Sequence, residues 1–594
     1  MEGRRDPGIV GDAGGEGSTA RHANAASRQT TGPFTSPVPR RWLLLAVGVA
    51  SLAVTAATFS PAPHTGGDNA VYVSLATSLV QEGAYREIFD PAGEPHSKYP
   101  PVFPLLLSGL LLLGIGSWSG LKLVAAASAI ACALLTFLWT ERRASPAWAA
   151  GAALALVLSP AIIDSSHWIL SEATFVALTL LSLWALDRAD RDEAASRWLA
   201  LGIVSAGLAY FTRSAGLPLL VAVMAWLALR RRWRSLAGGA ILLGPPIVLW
   251  LLRGGQSEYV AEAWLADPYA PALGPADATD LAARALENLA AYSALHLPHG
   301  LSGLQGAFSP AMGALLIAAA TAGWLLSIRR HRGPTELFAP LYAGLVLLWP
   351  TVWAGERLAL PLYPLVLGYG AVLLARSTRR SGGLAPVLVG AAALALVAGP
   401  AAAAMARTAR DASECRELAR EHGPFSCYGD RVRAVVDAAG WAGSNLPSGS
   451  VVLTRKPPLF FVLSGLPSRR FPLDTDPAAH WALAGTVGAR YELLDEWGEL
   501  APRYVGGAVR AHPERYCIVR SFGASGRTVL LGLLPEAEWT PGDRRAGSGV
   551  RPCPAGYVDG DGRRPHGAFG REIPLLTRLD PERQASDDRG PAAK

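Results

Sequence analysis

Asp68 lies in Gly66-Gly67-Asp68-Asn69-Ala70-Val71-Tyr72, just beyond the first long apolar run, Trp42–Phe59. Further on comes Ser97-Lys98-Tyr99-Pro100-Pro101-Val102-Phe103-Pro104. Asp164, His167 and Glu172 share one break between apolar runs. Arg213 occupies another, and Arg357 stands in Gly355-Glu356-Arg357-Leu358-Ala359-Leu360-Pro361. A carboxylate with an ordinary pKa of about 4 is ionised at neutral pH and can take a hydroxyl proton. Arginine stays charged and grips phosphate oxygens in a two-pronged fork. The set therefore offers a general base and cations for a phosphate. Each residue also has a plainer role: Asp68 as a helix cap, Glu172 as a carboxylate favoured by a helix N-terminus, Arg213 as a snorkelling interfacial side chain. Arg357 would otherwise be a topology residue, but on the unusual side. His167, His296 and His299 have no metal-ligand spacing, so a divalent metal is possible without being supported.

The elements that must position these groups are apolar helices. Hydrophobic residues make up 51% of the 594, charged residues only 17%, and the mean hydropathy is +0.25. Apolar runs of about 18 residues recur between Trp42 and Ala406, as in membrane-spanning helices. About eleven spans are expected: Trp42–Phe59, Gly120–Thr140, Pro146–Ile163, Ile169–Leu186, Trp198–Phe211, Leu217–Leu229, Ser235–Leu252, Pro310–Ile328, Leu337–Trp353, Leu358–Ala375 and Leu384–Ala406. With the N-terminus inside, the inner turns carry Arg142-Arg143, Arg188, Arg191, Arg197, Arg230-Arg231-Arg232, Arg234, Arg329-Arg330, Arg332, Arg376 and Arg379-Arg380. The outer segments before residue 406 hold only Arg86, Lys98, Lys122, Arg213, Arg253, Arg284 and Arg357. This Lys/Arg bias sets the orientation. Val102–Gly116 would reach about 22 Å, short of a hydrocarbon core of about 30 Å, so it reads as re-entrant or interfacial. The loops 60–119 and 253–309 then lie outside, and Asp68, Glu172, Arg213 and Arg357 converge on the outer end of the bundle. The hairpin helices around Arg213 are short, which places that turn at membrane depth. A charge there costs about 2.5–3.5 kcal/mol and usually marks a site.

Residues 1–41 are Gly-, Ala-, Ser- and Arg-rich and read as a disordered cytoplasmic tail. They do not form a secretory signal, because a long polar stretch precedes the apolar run. From about 407 to 540 the composition becomes that of a soluble α/β domain on the outer side. Ser450–Thr454 and Tyr516–Ser521 read as strands, Pro457–Gly465 and Ala478–Gly488 as helices. Residues 541–594 read as a second disordered tail. Cys415, Cys427, Cys517 and Cys553 are disulfide candidates in this outer region, with three connectivities open; free thiols are the other reading. The positive charge of +7 sits in clusters beside apolar runs and gives no nucleic-acid stripe.

The acidic residue after the first span, followed by a loop ending Lys98-Tyr99-Pro100-Pro101, resembles the polytopic GT-C glycosyltransferases that use lipid-phosphate sugars. These include the protein O-mannosyltransferases (family 39), the lipid A aminoarabinose transferase and bacterial relatives. The resemblance covers roughly 42–405, most specifically 66–104, with weaker matches at 168–187, 209–234 and 355–375. It implies a mainly α polytopic bundle in the inner membrane. It also implies a polyprenyl-phosphate sugar donor and a hydroxyl acceptor. Asp68 would be the catalytic base and Glu172 the second acidic site; Arg213, Arg357, Lys98 and Tyr99 would serve the donor phosphate. Phosphate leaves readily as an anion, so the acid that glycoside hydrolases need is not required, and a single displacement inverts the anomeric centre. The chain departs from the pattern at Asp68-Asn69, where many relatives carry two acids; this weakens the case for metal assistance there. Two other classes fit less well. A transporter would show internal repeats and charges at the midplane, and none is found. A non-catalytic polymer-export or assembly protein would need no base.

Overall fold

The computed structural model describes residues 38–63, 67–190, 195–254, 257–379, 384–536 and 550–558. The expected tails lie largely outside these residues. The rest is a helical bundle joined to a small α/β domain.

All eleven expected apolar runs are helical, with shifted ends. Among the described residues, six helices are long and apolar enough to cross a membrane, and seven if one bent pair counts as a single span. The six are Arg40–Thr58, Trp118–Thr140, Trp233–Leu252, Ser309–Ile328, Glu356–Ser377 and Val387–His422. The bent pair is Pro146–Val157 with Pro160–Ser166, turned by 61°. Pro160 has no N–H to continue the ladder, which explains the break. Two expected spans are instead the short apolar helices Ser214–Leu229 and Pro334–Leu348, and Val102–Leu112, in the run expected to be re-entrant or interfacial, is short as well. The last run stops at Leu348 because Pro350 follows; Thr351–Trp353 forms a separate single turn. The expected span Leu384–Ala406 is longer than its apolar part: the helix Ala385–His422 continues through Ala-, Arg- and Glu-rich sequence of high helix propensity.

Small residues set the helix spacing. A Cβ on Gly313 would lie 1.6 Å from the Ser293 carbonyl oxygen, and one on Gly323 would lie 2.0 Å from that of Tyr369. Such close backbone approach is how helices pack where no hydrophobic gradient drives them together.

The domain holds five strands: β1 Val451–Leu453, β2 Ser468–Arg469, β3 Ala489–Leu494, β4 Tyr516–Phe522 and β5 Thr528–Leu533. Their order is β2-β1-β3-β5-β4. β1 is parallel to β2 and β3, whereas β5 is antiparallel to β3 and β4. Val452, Tyr491 and Leu493 bury one face against the helices Asp430–Asn445 and Pro457–Ser464. Val451, Leu453 and Leu531 bury the other against Leu500–Ala511. The first face is continuous with the bundle: Ala70, Tyr72, Val73, Trp118 and Ile169 share its core with Phe425, Phe460 and Leu463. The Ser468 N–H donates to the Phe89 carbonyl at 2.8 Å.

Of the three open connectivities the structure takes one, Cys415–Cys427 with Cys517–Cys553; Cys132 is a buried free thiol. The second bridge ties 550–558 to the sheet, where Pro552 pairs with Ile518. The domain thus takes in a segment beyond residue 540.

Candidate active site

Asp68 opens the helix Asp68–Glu82, which ends at Gly83 in the left-handed conformation favoured by glycine. Glu172 opens Glu172–Ala189. Arg213 caps the turn between Ala195–Tyr210 and the next helix. Arg357 lies in the single turn Glu356–Ala359 that begins the tenth apolar run. Four helix ends therefore deliver four ionisable groups to one end of the bundle.

There they form a continuous ionic chain. Arg357 Nη2 donates to Asp68 Oδ2 at 2.9 Å and to Glu172 Oε1 at 2.6 Å, while Arg357 Nε reaches the same Glu172 oxygen at 2.8 Å. Arg213 Nη1 lies 2.6 Å from Glu172 Oε1 and donates to Ser171 Oγ at 3.2 Å. The Tyr99 hydroxyl donates to Asp68 Oδ1 at 3.1 Å. Two carboxylates and two guanidiniums balance in charge. Glu172 is 2% exposed, whereas Asp68 and Arg357 are 32% and 36% exposed. Glu172 is thus the buried anchor, and Asp68 and Arg357 face the open space.

Burial pushes the Asp68 carboxyl up, but the Arg357 guanidinium and the Tyr99 hydroxyl outweigh it and hold Asp68 below its ordinary value. Burial raises the Tyr99 phenol well above its usual range, with the Asp68 charge acting in the same direction. Tyr99 therefore stays a proton donor and Asp68 stays a carboxylate.

A small cavity adjoins the chain, lined by Tyr72, Tyr99, Pro100, Thr212, Arg213, Ser214, Ala215, Tyr259, Trp349 and Leu358. Tyr72 hydrogen-bonds Ser171 Oγ at 2.8 Å. Lys98 stands beside this group and not in it: its ammonium is bound to Glu262 at 2.6 Å and lies 5.5 Å from the Tyr259 ring centre. From the α/β domain, Lys456 comes within the field of Asp68, and burial brings its ammonium down to about 7. Its Nζ lies 3.7 Å from the Trp497 ring centre.

Sequence reading missed Tyr72, Ser171, Tyr259, Glu262 and Lys456. No local signal marks them, since tyrosines are common at membrane interfaces. The Asn69 side-chain oxygen accepts the Ile169 N–H at 2.8 Å. It ties the Asp68 helix to the Glu172 segment. Among the described residues, no group of three or more His, Cys, Asp or Glu is placed to hold a metal ion. His167 Nε2 meets Thr58 Oγ1 at 2.8 Å. His296 and His299 both face Glu356 Oε1, at 3.1 and 3.2 Å, and Asp164 stands apart from the ionic chain.

Residues 98–254 match the family described as dolichyl-phosphate-mannose-protein mannosyltransferase. The chain is also similar to solved membrane proteins. For the oligosaccharyltransferase AglB of Archaeoglobus fulgidus, in complex with an inhibitory peptide and a dolichol-phosphate, the TM-score is 0.52 at 12% identity, over 91% of this chain and 78% of that one. For ArnT of Cupriavidus metallidurans in the apo state it is 0.51 at 14% identity, over 84% and 99%. For the same ArnT bound to undecaprenyl phosphate it is 0.50 at 15% identity, over 85% and 100%. The chain has the GT-C fold. No curated protein sequence matches it. The GT-C likeness spans bundle and domain together, and the family match covers the Lys98 loop, Glu172 and Arg213.

Proposed function

We propose that this protein transfers a sugar from a polyprenyl-phosphate donor to a hydroxyl acceptor at the outer face of the cytoplasmic membrane, with inversion. The observation that carries the reading is the Asp68–Arg357–Glu172–Arg213 chain at one end of a GT-C bundle. Asp68, ionised and open to one side, accepts the acceptor's proton. Glu172 holds both guanidiniums in place. Arg213 and Arg357 stabilise the departing phosphate, whose charge grows as the bond to the anomeric carbon breaks. Their positions suit a lipid-borne phosphate, and the similar ArnT binds undecaprenyl phosphate. Tyr99 borders the same space and orients Asp68, with Lys98, bound to Glu262, beside it.

The decisive assay supplies radiolabelled polyprenyl-phosphate sugar to the purified protein in liposomes with cell-envelope material as acceptor. Transfer by wild type and its loss in Asp68→Asn support the reading. Equal transfer by Asp68→Asn removes the base and leaves Glu172 as the next candidate.

A further inference from the structure

Upstream of Asp68, the strap 59–63 leaves the first helix with its carbonyls turned to side chains. Arg416 Nη1 donates to the carbonyls of Phe59 at 2.7 Å and Ala57 at 3.3 Å. Lys122 Nζ donates to those of Ser60 at 2.8 Å and Ala62 at 2.5 Å. The Tyr428 hydroxyl donates to that of Pro63, and Ser60 Oγ reaches Cys415 Sγ at 3.3 Å. Arg416 directly follows Cys415, Tyr428 directly follows Cys427, and these two cysteines form a disulfide. One bridge thus ties together two of the three groups that grip the strap.

Lys122 is completely buried and its partners are neutral carbonyls. A buried ammonium is expensive, and an apolar side chain would serve stability better. Between strap and base come Gly66 and Gly67, of a residue type with the greatest backbone freedom. The strap therefore acts on the start of the Asp68 helix alongside the bond from the Ile169 N–H to Asn69.

Resting on the proposed role of Asp68, we infer that Lys122, Arg416 and Tyr428, joined through Cys415–Cys427, are positioning residues that clamp the strap and so set the reach of the base. The clamp is complete only when the disulfide is formed, so the reaction centre depends on an oxidising compartment. Misplacing a reacting group by about 1 Å can cost about 10²-fold in rate.

The test uses the full-length protein in nanodiscs. Lys122→Met, Tyr428→Phe and the paired Cys415→Ser/Cys427→Ser are compared with Cys517→Ser/Cys553→Ser, which breaks the other bridge, between β4 and the segment 550–558, and touches none of the strap carbonyls. The readouts are kcat, donor KM and deuterium uptake across residues 59–72. Expected for the clamp variants are a kcat lower by up to about 10²-fold, unchanged donor KM and faster exchange of 59–72. Lys122→Arg should restore much of the rate. Unchanged exchange and kcat in the folded clamp variants overturn the inference, as does an equal loss in Cys517→Ser/Cys553→Ser. If Lys122→Met fails to fold, Tyr428→Phe, which removes one hydroxyl, carries the same readouts. If wild type transfers no sugar, the functional reading fails while the exchange data still decide whether a clamp exists.

Discussion

At the scale of single residues, Asp68 is governed by a competition between burial and Arg357. Burial favours the protonated acid; the guanidinium and the Tyr99 hydroxyl favour the carboxylate, and they prevail. A base of this kind works only when deprotonated. Turnover should therefore hold level through neutral pH and fall only in acid, below the ordinary aspartate value of about 4. In Arg357→Gln the opposing charge is gone, burial prevails, and the Asp68 pKa rises. The acid limb of the pH–kcat profile should then move toward neutrality, with part of the lost rate recovered at higher pH. An acid limb unmoved in Arg357→Gln would separate Arg357 from the base. Asp68→Asn should lower kcat by about 10²–10⁴-fold with donor binding kept; a donor-binding assay alongside the rate checks both. The ionic chain was readable in the sequence because charges between apolar runs are costly and rare. What could not be read was its wiring. Arg213 and Arg357, assigned to phosphate, also neutralise Glu172, and Lys98 is committed to Glu262. Those distances depend on how four helix ends meet, which no local spacing encodes.

At the scale of elements, the far end of the bundle has its own ionic tie. Arg143, after the helix Leu123–Thr140, pairs with Asp187 of Glu172–Ala189 and lies 3.6 Å from Glu336 of Pro334–Leu348. All three are buried. Ser327 and the Gly333 N–H donate to the two Glu336 oxygens at 2.9 and 2.8 Å. The tie thus spans four helices, one of which carries Glu172 at its opposite end. Removing the cation leaves two buried carboxylates together, a loss of about 3–5 kcal/mol. Arg143→Met should therefore lower the thermal midpoint in detergent markedly, although it touches nothing near Asp68. An unchanged midpoint would show that water reaches this cluster. The helices themselves were legible from their apolar runs. Their breaks were less so: Pro160 and Pro350 end helices inside runs that hydropathy alone reads as continuous. In the domain, β3 was missed because it starts at the residue after Gly488, where the helix Pro477–Val487 ends in the left-handed conformation. Nothing polar separates the two.

At the scale of the whole molecule, orientation decides whether the pieces make sense together. The α/β domain shares a core with the Asp68 helix, so the domain and the proposed reaction centre occupy the same end of the bundle. The buried Arg143 tie stands at the other end, beside the arginine-rich turns at Arg230–Arg232 and Arg329–Arg330. The positive-inside rule puts those turns in the cytoplasm. On that orientation the domain, its two disulfides and Asp68 would be extracytoplasmic, the kind of compartment where disulfides persist. Single cysteines placed at exposed positions separate the alternatives: Arg527 in the domain and Leu229 before the basic turn. In intact cells whose outer barrier is opened, a membrane-impermeant maleimide should label Arg527→Cys. It should reach Leu229→Cys only after lysis. The reverse pattern would place the paired cysteines and the whole reaction centre in a reducing compartment. It would remove the outer-face transfer and the disulfide clamp together, while the fold and the ionic chain at Glu172 would stand unchanged.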